Sequence, residues 1–149
     1  MILYLSCIFT KIKRLMNKVN VWISAARPRT LPLSIAGILA GSAVAVKTSV
    51  FSFPIFVLAL ATTLGFQVLS NFANDYGDGI KGTDNQDRVG PKRALQSGLL
   101  TAKELKHGMI VTAVIILFLI SLLIFTAFGG EHMVLSFIFF NLGIAAIIA

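Results

Sequence analysis

From Phe53 to Ala73 the chain carries no charged side chain, and the residues that follow are Asn74-Asp75-Tyr76-Gly77-Asp78. A run of that length crosses a bilayer core as a helix, which takes about 20 apolar residues. A helix is also the one local structure that pairs its backbone N–H and C=O groups without water. Asn71 to Gly98 then holds four of the six acidic residues, Asp75, Asp78, Asp84 and Asp87, together with Lys81, Arg88, Lys92 and Arg93. Carboxylates, amides and cations crowded at the end of a membrane-length run point to a charged ligand held through a metal at the membrane surface.

Spacing decides which of these groups converge. If the helix continues for a turn or two past the apolar run, Asn71, Asn74 and Asp78 lie at i, i+3 and i+7 and share a face. Asp75 and Asp78 are one turn apart. Their oxygens are hard donors suited to Mg²⁺, which takes one or two carboxylates and completes its shell with water and substrate phosphate. No Cys or His occurs between Asn71 and Gly98, which argues against zinc and other soft-site metals. The same residues also suit a capped helix end with a solvated polar loop.

Composition agrees with a membrane chain. Charged residues make up 13% of the sequence and mean hydropathy is +0.87, whereas soluble domains carry about 25% charge. The net charge of +7 would suit nucleic-acid binding if it formed a soluble basic face, but the cations flank apolar runs. Six Lys and Arg precede Leu31, six lie between Asp75 and His107, Lys47 stands alone between the first two spans, and none lies between the third and fourth. Twelve against one puts the N-terminus and the polar stretch on the cytoplasmic side. The single Cys7 forms no internal disulfide and says nothing of redox compartment.

The apolar runs give four spans. Val19 to Val46 is broken by Arg27-Pro28-Arg29-Thr30 and Pro32; Phe53 to Ala73 is the second; Met109 to Phe128 the third; Met133 to Ala149 the fourth. Lys47 to Ser52 and Gly129 to His132 are short turns. Asp75 to His107 is a long polar connection and a candidate lid. Gly77, Gly79, Gly82 and Gly90 make its first half irregular, Arg93 to Leu100 could form a short helix, and Thr101 with Glu104 is a capping box for the next helix. Arg27 and Arg29 either snorkel at the interface and set topology or bind phosphate bidentately. Gln67 and Ser70, in the last turns of the second span, suit an interhelical hydrogen bond. Met1 to Thr10 is too short to span, and its cations follow it without a cleavage site, unlike a signal peptide.

Asn74-Asp75-Tyr76-Gly77-Asp78 resembles the first Asp-rich motif, NDxxD, of the UbiA-like membrane prenyltransferases. Within them, the strings ANDYGDGIKGTD and DRVGPKRALQSG, preceded by AARPRTLPLSIAGILAG, are similar to those of 1,4-dihydroxy-2-naphthoate polyprenyltransferases. The resemblance covers roughly residues 16–149 and leaves residues 1–15 as an N-terminal extension, read as an upstream start. In many members the motif has a third acid, where this chain has Gly82; Asp84 lies two residues further on, off that spacing.

The resemblance implies an all-α integral membrane protein, about four transmembrane helices of a bundle that has about nine in the family, with a cytoplasmic cap loop between the second and third. It implies that Asn74 and Asp78, with help from Asp75, hold Mg²⁺ against a polyprenyl diphosphate. Arg27 or Arg29, with Lys81, Lys92 and Arg93, would bind the diphosphate. The implied acceptor is 1,4-dihydroxy-2-naphthoate, decarboxylated to give demethylmenaquinone in menaquinone synthesis at the cytoplasmic (inner) membrane. The alternatives are another aromatic acceptor such as 4-hydroxybenzoate, or a non-catalytic membrane fragment. A CDP-alcohol phosphatidyltransferase is disfavoured, because its motif needs Ala-Arg where Gly82-Thr83 stands. The family's second Asp-rich motif has no counterpart in these 149 residues, so the expectation is a truncated N-terminal portion that is inactive alone.

Overall fold

The computed structural model describes residues 17–82 and 93–148. Among them every regular element is helical: α1 (residues 17–26), a 3₁₀ turn at Pro28–Thr30, α2 (Leu31–Lys47), α3 (Phe53–Lys81), α4 (Ala102–Phe128) and α5 (Met133–Ile148). Three helical stretches are long and apolar enough to cross a membrane: Asn17–Lys47, which runs through the 3₁₀ turn, Phe53–Lys81 and Ala102–Phe128. The fourth apolar run forms the 16 residues of α5, a shorter apolar helix.

The break between α1 and α2 follows from Pro28 and Pro32, neither of which has an N–H to give. Arg27 takes a left-handed conformation at φ 52°, ψ 70°. A non-glycine residue held there costs of order 1 kcal/mol or more, so the surroundings must enforce it.

Helix α3 runs through the polar motif. Gly77 and Gly79, expected to make the connection irregular, are helical, and the helix stops at Gly82, whose φ of 66° is the left-handed conformation glycine adopts at helix ends. At 29 residues it is about 44 Å long. A ~30 Å hydrocarbon core accounts for some 20 residues of that, so α3 is longer than one crossing needs, and Asn74 and Asp78 lie in its last turns.

Arg93 to Leu100, expected as a short helix, is a pair of tight turns instead. Ser97 N–H donates to Arg93 O at 2.9 Å, and the N–H groups of Leu99 and Leu100 both reach Ala94 O at 3.1 Å. Gly98, at φ 69°, reverses the chain before a helical run can form. The expected capping box is present: Thr101 Oγ1 accepts from Glu104 N–H at 3.2 Å, and Glu104 Oε2 accepts from Thr101 N–H at 3.0 Å.

Helix α3 packs chiefly against α4 and to a lesser extent against α2, and α5 packs against α4. One buried cluster joins Ala25, Phe72, Ala94, Leu100 and Leu105, with Trp22 and Phe72 edge to face at 5.4 Å. A second joins Leu69, Ile116 and Ile120. Gly108 makes room for Trp22: a Cβ there would lie 2.6 Å from the indole. Outward-facing Phe118, Phe125 and Phe137 are all exposed, as lipid-facing side chains are.

Candidate functional site

The last three turns of α3 divide their polar side chains between two directions. Asn74 is exposed and Asp78 half-buried on one side; Asn71 and Asp75 are buried, at 3% and 2% exposure. Asn74 and Asp78 stand one turn apart, as their spacing requires. Asn71 shares their side by register, yet it is engaged against the α1–α2 break.

Asp75 turns toward the segment before α4. Its Oδ2 accepts from the Ala94 N–H at 3.2 Å, and its Oδ1 is buried without a hydrogen-bond partner among the described residues. Arg93 lies beside it. The Arg93 guanidinium donates to Asn74 O at 2.7 Å and forms an ion pair with the Asp78 carboxylate. Leu95 is packed directly over Gly79, where any Cβ would collide with it. Residues 93–95 are thus held down on α3 by an ion pair, a backbone hydrogen bond and an apolar contact in succession.

Asn71 anchors the other side. Its Nδ2 donates to Ala26 O at 2.8 Å and to Thr30 Oγ1 at 3.1 Å. Thr30 Oγ1 in turn donates to Arg27 O at 2.9 Å. Gln67 Nε2 approaches Asn71 Oδ1 at 3.4 Å, and the Ser34 hydroxyl donates to Gln67 Oε1. The expected interhelical bond of Gln67 is therefore made, to α2. Of the two arginines in the break, Arg27 is half-buried with its Nη2 inside the protein, while Arg29 is exposed.

An open groove of about 550 Å³ runs along α3, lined among others by Ser34, Thr63, Gln67, Ser70 and Asn74, with Ile147 of α5 on its far side. Thr63, Gln67, Ser70 and Asn74 follow one another at helical spacing, so the polar stripe leads along the helix to the Asn74–Asp78 side.

Asn74 and Asp78 fit a hard divalent cation: an amide and a carboxylate one turn apart, the amide exposed and lining the groove. Asp75 fits less well, because its carboxylate is buried and holds Ala94. No three His, Cys, Asp or Glu side chains converge on a metal among the described residues. Lys81 is exposed at the end of α3. Lys92, Asp84, Asp87 and Arg88 lie outside the described residues.

The model of the UbiA prenyltransferase family matches residues 34–148. A 1,4-dihydroxy-2-naphthoate octaprenyltransferase of Haemophilus influenzae is 45% identical over 140 residues, which are 92% of this chain and 45% of that protein. The protein of the same name in Escherichia coli is 44% identical over 100 residues, 67% of this chain and 32% of its own length. That of Mycobacterium tuberculosis is 46% identical over 82 residues, 55% and 28% respectively. The chain spans less than half the length of these curated relatives. No solved structure matches it.

Proposed function

The chain belongs to the UbiA prenyltransferase family, and from that premise we propose that it supplies a Mg²⁺–diphosphate site for moving a polyprenyl chain from its diphosphate onto 1,4-dihydroxy-2-naphthoate. The family is a membrane helical bundle and is generally metal-dependent, and this chain is a multi-pass membrane protein. The observation that carries the proposal is the juxtaposition of Asn74 and Asp78 with Arg93, at the end of a polar-lined groove and in the last turns of α3, which is longer than one crossing needs.

Asn74 and Asp78 hold the ion, and Arg93 offers donors to the diphosphate. When bound, Mg²⁺ neutralises the diphosphate and eases its departure. Arg93 donates to the Asp78 carboxylate. The Arg93 guanidinium, held beside Asp78 and Asn74 O, has the fork geometry that would pair bidentately with phosphate oxygens. Arg27 is favoured over Arg29 as a second phosphate ligand, because its guanidinium is turned inward. Lys81 and Lys92 are further candidates. Asp75 acts through Ala94 by holding Arg93 in place. Cationic donors at this point stabilise the charge that grows on the leaving group.

In the proposed reaction the bond between the prenyl C1 and the diphosphate oxygen breaks. A carbon–carbon bond forms to the electron-rich ring, diphosphate leaves, and the ring carboxylate departs as CO₂. The product is demethylmenaquinone in its reduced, quinol form. The groove along Thr63, Gln67 and Ser70 is the proposed place of the substrates, and the cytoplasmic side of the inner membrane the proposed location. The relatives' names favour dihydroxynaphthoate as acceptor over 4-hydroxybenzoate.

The direct test is binding of farnesyl diphosphate to the chain in lipid nanodiscs, with and without Mg²⁺. Binding that needs the ion and is lost in Asp78→Asn is expected. Equal binding without Mg²⁺, or none at all, would favour a non-catalytic membrane scaffold.

A further inference from the structure

We propose that Asn71 is a positioning residue for Arg27: its carboxamide fastens the break between α1 and α2 to α3 and thereby fixes the posture of the arginine offered to the diphosphate. The inference rests on the reading above, and goes beyond it in naming what holds the site's second wall.

In an unbroken helix, Ala26 O would accept from the N–H of Thr30. Here Thr30 N–H turns to Arg27 O at 3.0 Å, and Ala26 O is left to accept from Asn71, forty-five residues away, at 2.8 Å. The second N–H of the same amide goes to Thr30 Oγ1, whose own hydrogen is donated to Arg27 O. Both carbonyls beside the left-handed Arg27 are therefore held by one buried amide, directly or through Thr30. Asn71 is 3% exposed, so no water replaces it cheaply; a buried acceptor left without a donor carries its full desolvation cost. Gln67 Nε2 approaches the oxygen side of the amide, and Ser34 in turn donates to Gln67 Oε1. Asn71 itself lies one turn before Asn74 on α3, which puts the Arg27 backbone alongside the proposed metal ligands.

Two measurements on the chain in nanodiscs test this. In the first, Cys7 is replaced by Ser and a single cysteine is placed by Arg27→Cys or Arg29→Cys, then labelled with a polar maleimide. Adding Asn71→Leu should speed labelling at position 27 by about tenfold, the scale of one lost buried hydrogen bond, and leave position 29 as fast as before. In the second, Mg²⁺-dependent farnesyl diphosphate binding is compared in Arg27→Ala, Asn71→Leu and the double variant. If Asn71 acts through Arg27, each single change weakens binding about tenfold and the double variant is no worse than Arg27→Ala alone. Thr30→Val, a smaller perturbation than Asn71→Leu, should weaken binding in the same direction, and Thr30→Ser should recover it. Losses that multiply in the double variant, or a labelling rate at position 27 that ignores Asn71, would overturn the inference. The unsubstituted chain separates the two claims: no Mg²⁺-dependent binding sinks the prenyl-transfer reading, whereas binding with multiplicative losses sinks only the role of Asn71.

Discussion

Asp75 and Asp78 are separated by one helical turn and meet different surroundings, which is enough to give two carboxylates different work. Asp78 is half-buried with Arg93 on it; Asp75 is inside, with one oxygen on the Ala94 N–H. Asp78→Asn removes the charge a divalent ion needs, and Mg²⁺-dependent diphosphate binding should fall by at least the ~10–100-fold that losing an outer-shell partner costs a metal site. Asp75→Asn keeps an acceptor for Ala94 and removes a buried charge, so it should lower binding by a few-fold at most. Isothermal titration of the two variants side by side checks this, and equal losses would return Asp75 to the ligand set. From the sequence, the pairing of Asn74 with Asp78 was readable, because helical register alone puts them on one side. The burial of Asp75 was not, because it depends on Ala94, nineteen residues away in a turn with no periodic signal. Asn71 was readable as sharing that side, but its hold on Ala26 was not: nothing local records which distant carbonyl a proline break leaves over.

At the scale of elements, the segment 93–100 is the part whose form is decided by its neighbours. Its composition allowed a helix; Gly98 and the docking of Ala94, Leu95 and Leu100 onto α3 and α4 make it a pair of turns. Likewise Gly77 and Gly79 read as loop glycines, yet α3 continues through them. The small cost of glycine in a helix, about 1 kcal/mol each, is outweighed at Gly79 by the room it leaves for Leu95. Gly79→Val should therefore loosen 93–100 while leaving α3 helical. Faster amide exchange at Ala94 to Leu100, with unchanged far-ultraviolet circular dichroism, is the expected result; unaltered exchange would show that Leu95 moves aside. Gly108→Leu tests the other close approach. Its Cβ would press on Trp22, and overpacking of that kind costs about 1–3 kcal/mol, measurable as a lower midpoint in detergent-induced unfolding with loss of the Trp22 fluorescence position.

Over the whole chain, charge and helix length bear independently on how it lies in the bilayer. Twelve of the thirteen cations fall before Leu31 or between Asp75 and His107, and one, Lys47, at the end of α2. The helices divide the chain in the same way: α3 and α4, at 29 and 27 residues, are about 44 and 40 Å long. Each exceeds the ~30 Å core, and the excess in both carries polar residues at the ends joined through residues 82–101. At their other ends, Phe53 and Phe128 lead straight into short turns. With cations retained on the cytoplasmic side, residues 93–101 should face the cytoplasm, and the turns at 48–52 and 129–132 the opposite side. In a chain with Cys7 replaced by Ser, Ser97→Cys should label with an impermeant maleimide only in inverted vesicles, and Glu131→Cys only in right-side-out ones; both positions are exposed. The reverse pattern would place Asn74 and Asp78 away from the cytoplasmic supply of Mg²⁺ and prenyl diphosphate, and the proposed reaction would lose its setting. Labelling of both cysteines from one side would instead show that α4 does not cross.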